Sequence, residues 1–292
     1  MGRCVQNAPS SKDALVLAGL DWEVEQKEIR TEDGVSVPGY RANVRSNDGK
    51  VLGVVSDRYS VVQNREAFAF TDGLLGTGVK YETAGSLMGG KRVWMLAKLP
   101  DKYIIQGDRI SPYLVFSNSH DGSGSIKVAL TPIRVVCNNT CMALQTAQRS
   151  WSTKHTGDIE NRMEDARETL FRAEEYMDGL GKEIENLNRI RIPRKKAEEQ
   201  IRKLVPVPEN ATPLQEKNAE SQRNDIILRY LYAPDLKNLP ENGYRLYNAV
   251  SDYVNHAKPL RETKSYRENL FAKTVDGNPF MDRAHKMILQ AA

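Results

Sequence analysis

Between Trp22 and Leu130 short apolar-rich runs alternate with turn-forming clusters: Glu32-Asp33-Gly34, Asn47-Asp48-Gly49, Gly89-Gly90 and Asp121-Gly122. Glycine in such pairs takes positive φ without strain, so these clusters punctuate hairpins. The runs between them predict strands over Trp22–Ile29, Val37–Arg45, Val51–Ser56, Lys80–Leu87, Arg92–Leu99, Tyr113–Asn118 and Ser125–Val136, most of them paired antiparallel. Asn64–Leu75 breaks the series. It lacks β-branched apolar residues, opens on Asn64 as an N-cap, and spaces Ala67, Phe68 and Leu75 as a helix does. A second helix is expected from Asn138 or Asn139, carrying Met142, Leu144 and Ala147.

Beyond about Thr156 the period changes. Ile159–Arg191 is charged and free of proline, and it places Met163, Ala166, Leu170, Ala173, Met177, Leu180, Ile184 and Leu187 at steps of three or four. That spacing predicts a long amphipathic helix, with Gly179 and Gly181 as points where it can bend. Pro193 and the Pro206/Pro208 pair punctuate the rest of the chain, and Val205–Pro213 reads as a linker. Further helices are expected over Gln215–Tyr232, Gly243–His256, Tyr266–Phe271 and Pro279–Gln290. The fold class is therefore α+β. A strand-rich domain over residues 1–156, an antiparallel sheet with packed helices, is succeeded by a helical region over 157–292.

Composition narrows the function classes. The chain has 292 residues, 40% hydrophobic and 27% charged, enough for a sizeable core without disulfides or metals. A formal charge of +4 is too small for a protein that coats duplex DNA, so any nucleic-acid footprint must be local. No run reaches the roughly 18 apolar residues of a membrane span, and Met1–Ser11 lacks the apolar stretch of a secretory signal. A cytoplasmic protein without a membrane partner is expected. The three cysteines, Cys4, Cys137 and Cys141, are too few for a disulfide framework and lack the companions of a zinc site.

Catalytic chemistry leaves little trace. Gly85 to Arg92 meets all but the last position of a phosphate-cradling P-loop. However, Arg92 stands where Ser or Thr would ligate magnesium, and a strand pattern comes next where a helix must begin. A Gly-Gly hairpin turn is favoured there. The histidines, His120, His155, His256 and His285, are scattered without metal-ligand spacing, and no nucleophile sits beside a recognisable base. Asp57, Asp101, Asp108 and Asp121 could gather around magnesium, but their places near strand ends favour turn roles. No catalytic residue, metal or cofactor is assigned.

A basic and aromatic set on the strands remains. Alternation puts Arg41, Asn43 and Arg45 on one face of their strand, opposite Tyr40, Ala42 and Val44. Arg92, Trp94, Leu96 and Lys98 share a face opposite Val93, Met95 and Ala97. Lys127 and Arg134 flank a later Thr131-Pro132 break. With Arg58, Tyr59 and Lys91, these supply cations for phosphates and rings for stacking, the combination that holds single strands without reading sequence. The plainer reading stands beside it: antiparallel sheets with one wet face carry Lys and Arg routinely, and Trp94 fits equally well under a covering helix.

Four segments, VVSDRYSVVQN (Val54 to Asn64), GSLMGGKRV (Gly85 to Val93), TPIRVVCNNT (Thr131 to Thr140) and YNAVSDYVNH (Tyr247 to His256), resemble in content and order the phage/plasmid-like family called domain of unknown function 932. The resemblance implies carriage by phages, prophages and mobile plasmids, and with it DNA metabolism or defence evasion; it brings no catalytic residues. The order strand, strand, strand, helix is also similar, at fold level only, to phage single-strand annealing proteins of the Rad-fifty-two type. The expected function is a non-enzymatic, homo-oligomeric protein that binds or anneals single-stranded DNA. The alternative is a phage protein that engages a host protein through the helical half, and a metal-dependent nuclease ranks third.

Overall fold

The computed structural model describes residues 2–69, 71–72, 78–100, 103–105, 108–134, 139–140, 150–156, 173–258, 263 and 278–292, with backbone alone at 103–105, 108–109, 132–134, 139–140, 150 and 173–174. The chain forms two compact units. The first comprises Met1–Asp101, Pro112–Thr131 and Gln148–Glu174, and the second Lys102–Ser111, Pro132–Ala147 and Glu175–Ala292. The class is α+β, with two antiparallel sheets in the N-terminal half and helices in the C-terminal half.

Eleven strands are described: β1 Gly2–Cys4, β2 Val24–Arg30, β3 Ser36–Arg45, β4 Val51–Ser56, β5 Lys80–Leu87, β6 Arg92–Lys98, β7 Tyr103–Ile105, β8 Asp108–Ser119, β9 Ile126–Arg134, β10 Asn139–Thr140 and β11 Ser150–Thr153. The large sheet runs β1-β5-β6-β8-β9-β10, with β7 on β8 and β11 on β9. The small sheet runs β2-β3-β4. Two helices accompany them, α1 Ser11–Ala18 and α2 Asn64–Ala69.

Alternation explains the large sheet. Val93, Met95 and Ala97 of β6 are 0–2% exposed, and the register sets them beside Ala84 and Tyr81 of β5 and Asn118, Phe116 and Leu114 of β8. The two helices close over this face. Phe68 of α2 meets Phe116 edge-on at 4.9 Å, and burying a ring of that size stabilises by about 2–3 kcal/mol. Asp72 fastens α1 by accepting from the Ser11 backbone N–H and hydroxyl, both at 2.6 Å, and from the Tyr81 hydroxyl at 2.8 Å.

The small sheet is held by one unusually close approach. A Cβ on Gly53 of β4 would lie 2.5 Å from Asp121 Cα, so only glycine lets β4 seat against the 120–124 turn. Asn43 of β3, fully buried, donates to the His120 carbonyl at 2.7 Å and ties the same turn to the sheet.

Two expectations change. No helix starts at Asn139, because Asn139 and Thr140 pair with Arg134 and Ile133; residues 141–149, Cys141 included, lie outside the described residues, as does Cys137. The β1 and β11 strands, which no alternation or turn signal announces, flank the large sheet. The Gly89-Gly90 turn is as expected: Met88–Gly90 is a short 3-10 turn, with φ of 68° and 102° at the two glycines, and it passes directly into β6.

The second unit is built from α3 Ala173–Arg189, α4 Arg194–Leu204, α5 Pro213–Tyr232, α6 Gly243–His256 and α7 Pro279–Leu289. The predicted stripe of α3 forms its core, with Met177, Leu180, Ile184 and Leu187 at most 1% exposed, and the helix runs unbroken through Gly179 and Gly181. Met163, Ala166, Leu170 and the Tyr266–Phe271 helix fall outside the described residues. Buried Arg245 of α6 donates to the carbonyls of Tyr230, Leu231 and Leu239 while its guanidinium lies 4.9 Å over the Tyr230 ring. It thereby satisfies the end of α5, where carbonyls lack helical partners. Among the described residues no helix is long and apolar enough to cross a membrane.

Candidate nucleic-acid interface

The small sheet has two unlike faces. Register places Glu28, Arg41 and Val55 in one row and Gln26, Asn43 and Gly53 in the next, and this is the face that meets the 120–124 turn. The other face carries Lys27, Ala42 and Val54 in one row and Tyr40 and Ser56 in another. It is open: Tyr40 is 53% and Val54 57% exposed. The face selected by its cations is therefore the inner one, and the exposed ring belongs to its opposite.

The ten predicted residues fall into three groups. Arg45 is engaged within the fold. It pairs with Asp48, donates to the Gly89 carbonyl at 3.4 Å, and lies 5.5 Å from the centre of the Trp22 ring. That pairing holds the Asp48 carboxyl well below its usual range. Tyr59 is also consumed: 8% exposed, it donates to the Ser119 carbonyl at 2.5 Å and stacks on His155 at 4.5 Å. Burial pushes its phenol far above the usual range.

Trp94 lies half-buried on a glycine track. Gly85 of β5 is opposite Trp94 and Gly2 of β1 is opposite Gly85, and a Cβ on Gly2 would lie 2.8 Å from the indole. The ring thus covers bare backbone instead of facing a ligand. Lys98, opposite Lys80 and Tyr113, and Lys127, opposite Ser152, are half-buried and hold contacts of their own. Arg134 ends β9, and its side chain is outside the described residues.

Arg41, Arg58, Lys91 and Arg92 remain. Arg58 is exposed near Tyr40, since the Asp57 backbone N–H donates to the Gly39 carbonyl at 3.0 Å, and Arg41 is exposed on the other face of β3. Lys91 and Arg92 lead out of the Gly89-Gly90 turn, where the His120 N–H donates to the Lys91 carbonyl at 2.7 Å. None of the four makes an ion pair among the described residues. Asp121, one of the carboxylates weighed for magnesium, serves its turn, accepting from Ser119 Oγ, Ser123 N and Ser123 Oγ. Burial pulls its carboxyl up, but those hydrogen bonds and the Lys91 charge together hold it below the usual range. Among the described residues no three metal-ligating side chains gather.

Sequence reasoning missed a buried histidine pair in the first unit. His120 is fully buried, edge-on to Trp22 at 5.4 Å, with Nε2 2.9 Å from Asn64 Oδ1. The Asn64 amide nitrogen donates to the Leu20 carbonyl, so its oxygen accepts and His120 Nε2 carries the proton. Likewise the Ser60 carbonyl, 3.2 Å from His155 Nδ1, assigns that nitrogen the proton. This leaves His120 Nδ1 and His155 Nε2 as buried bare acceptors. Burial, with a smaller contribution from the His155 charge, pushes the His120 pKa down to about 3; burial also lowers that of His155. The two lie 35 positions apart, and no spacing rule would join them.

Over residues 51–274 the chain matches the family model described as Domain of unknown function (DUF932). No curated protein and no solved structure matches it.

Proposed function

Because the chain belongs to the DUF932 family, whose description assigns no activity, we propose its function from its own surface: it binds single-stranded nucleic acid. In this reading it is a phage- or plasmid-borne, non-enzymatic protein that holds or anneals DNA strands as an oligomer. The observation that carries the reading is a set of first-unit cations, Arg41 within β3 and Arg58, Lys91 and Arg92 at turns and a strand end, free of ion pairs among the described residues. Tyr40 takes over the stacking role expected of Tyr59 and Trp94, being the ring that an exposed sheet face presents.

The test is fluorescence anisotropy of a labelled oligothymidine across a salt series. Four neutralised phosphates give a slope of about −3 in log K against log salt, and Arg41→Ala with Arg58→Ala reduces it by about 1.4. Tyr40→Ala weakens binding by about five- to 150-fold, the worth of one stacked base. Absence of binding at low salt refutes the reading.

A second reading has its own observation. On α5, Leu228 and Tyr232 are one turn apart and 54% and 66% exposed, an apolar pair suited to a protein partner such as a host enzyme or defence factor. Leu228→Asp with Tyr232→Asp in the full chain would then remove one defined host protein from those co-purified. An unchanged set argues against it.

A further inference from the structure

The P-loop-like segment has no P-loop geometry, yet its turn gathers charge. The Lys50 ammonium lies over Gly89, where a Cβ would collide with it. Arg45 reaches the same turn through the Gly89 carbonyl, with Nη1 3.0 Å from where a Gly90 Cβ would be. On the neighbouring 120–124 turn, Arg92 Nη2 lies 3.0 Å from the Cβ position of Gly124, and Lys91 is near enough to Asp121 to lower its pKa. Two cations thus lie at each of two adjoining glycine turns, which the His120 N–H to Lys91 carbonyl bond holds together.

Two carboxylates accompany them, and both have prior commitments: Asp48 to Arg45, Asp121 to Ser119 and Ser123. Lys50, Lys91 and Arg92 make no ion pair among the described residues. Like charges held together are destabilising unless an anion joins them. Met88, at the head of the first turn, adds a non-glycine φ of 52°, a conformation that costs energy and persists only where surroundings impose it.

We propose that the paired turns 88–92 and 120–124, with Lys50, form a subsite for one phosphate group. The missing glycine side chains let the cations lie directly against the turns; two ammonium groups supply point charge, and the Arg92 fork supplies directed donors. Donors from two elements, Lys50 ahead of β4 and Lys91 with Arg92 at the head of β6, suit a tetrahedral oxyanion better than a planar carboxylate. The subsite refines the strand-binding reading and rests on it only for the source of the phosphate. Between residues 22 and 60 six cations face seven carboxylates, so Lys91 and Arg92 add the positive excess that this segment, Arg41 and Arg58 included, lacks.

The test uses the full chain and inorganic tripolyphosphate, with binding read by calorimetry at low salt. Lys50→Ala, Lys91→Ala and Arg92→Ala together should weaken binding at least tenfold. Replacing exposed Lys12, Lys217 and Lys237 by Ala, the same loss of charge elsewhere, should not. Equal binding by both triple variants, or no binding by the native chain, overturns the subsite. Oligothymidine with and without a 5′ phosphate identifies the source: preference for the phosphorylated strand assigns the subsite to a chain end, equal affinity to the backbone. Tripolyphosphate binding that depends on the turns, without any oligonucleotide binding, upholds the subsite and defeats the strand reading. Oligonucleotide binding that survives the turn substitutions does the reverse.

Discussion

Acidification from pH 7 to pH 5 should cost this fold about 2 kcal/mol at His120 alone. In the unfolded chain His120 titrates near 6.5, whereas in the fold it stays neutral until about pH 3. The unfolded state therefore binds more protons throughout that window, and stability falls as pH falls. Full stability is present above 6.5, the loss is about 1.4 kcal/mol per unit below it, and it levels off near 3. At pH 7 about a quarter of unfolded chains carry the proton and at pH 5 nearly all do, which integrates to about 1.9 kcal/mol. His155, also depressed by burial, adds in the same direction. The carboxylates held low, Asp48, Asp121, Glu28 and Glu199, lose their contribution mostly below pH 4.5 and leave this window to the histidines. Urea unfolding monitored by tryptophan emission suits the measurement, because the Trp22 ring lies 5.4 Å from His120. His120→Gln keeps a donor for Asn64 and has no proton to gain, so its loss between pH 7 and 5 should be smaller by about 2 kcal/mol. Equal losses in the two proteins would refute the assignment of a buried, neutral His120.

Gly53→Ala should destabilise by about 1–3 kcal/mol, read as a drop in thermal midpoint, because its Cβ meets Asp121 backbone that cannot step aside. Gly34→Ala, with open space but a φ of 81°, should lose only about 1 kcal/mol. Arg245→Met should lower stability by about 2–4 kcal/mol in denaturant titrations, since the carbonyls of Tyr230, Leu231 and Leu239 lose their donors together. Arg45→Ala should lower stability by about 1–2 kcal/mol through its bonds to Asp48 and Gly89 and its place over Trp22. A salt slope for oligonucleotide binding that changes as much as with Arg58→Ala would show that Arg45 is free for phosphate after all.

Local signals are legible where they decide the outcome. The strands at Val51–Ser56 and Lys80–Leu87 and the helix at Gly243–His256 have the ends that turn residues and caps predict. Helix α4 is hidden because Pro193 reads as a breaker, although it sits at the N-cap, just ahead of the first helical residue. Asn139 reads as a helix start because its neighbours are helix formers, and pairing with Arg134 overrides them. For the site, alternation divides Arg41, Asn43 and Arg45 from Tyr40 correctly, but alternation does not say which face another element covers. That depends on Gly53 meeting Asp121, a contact across 68 positions. The ion pair of Arg45, the stacking of Tyr59 and the glycine track under Trp94 are tertiary facts of the same kind.

The glycine track has a practical consequence. β1 is three residues long, held to β5 by a short ladder and by the indole resting on Gly2. Few bonds secure it, so it is easily peeled away. Once gone, it would leave β5 with a row of unsatisfied amides and carbonyls, a template onto which a strand from another molecule can add. A purification tag belongs at the other end of the chain, and aggregation after N-terminal fusion or trimming would report a lost strand cap rather than a misfolded core.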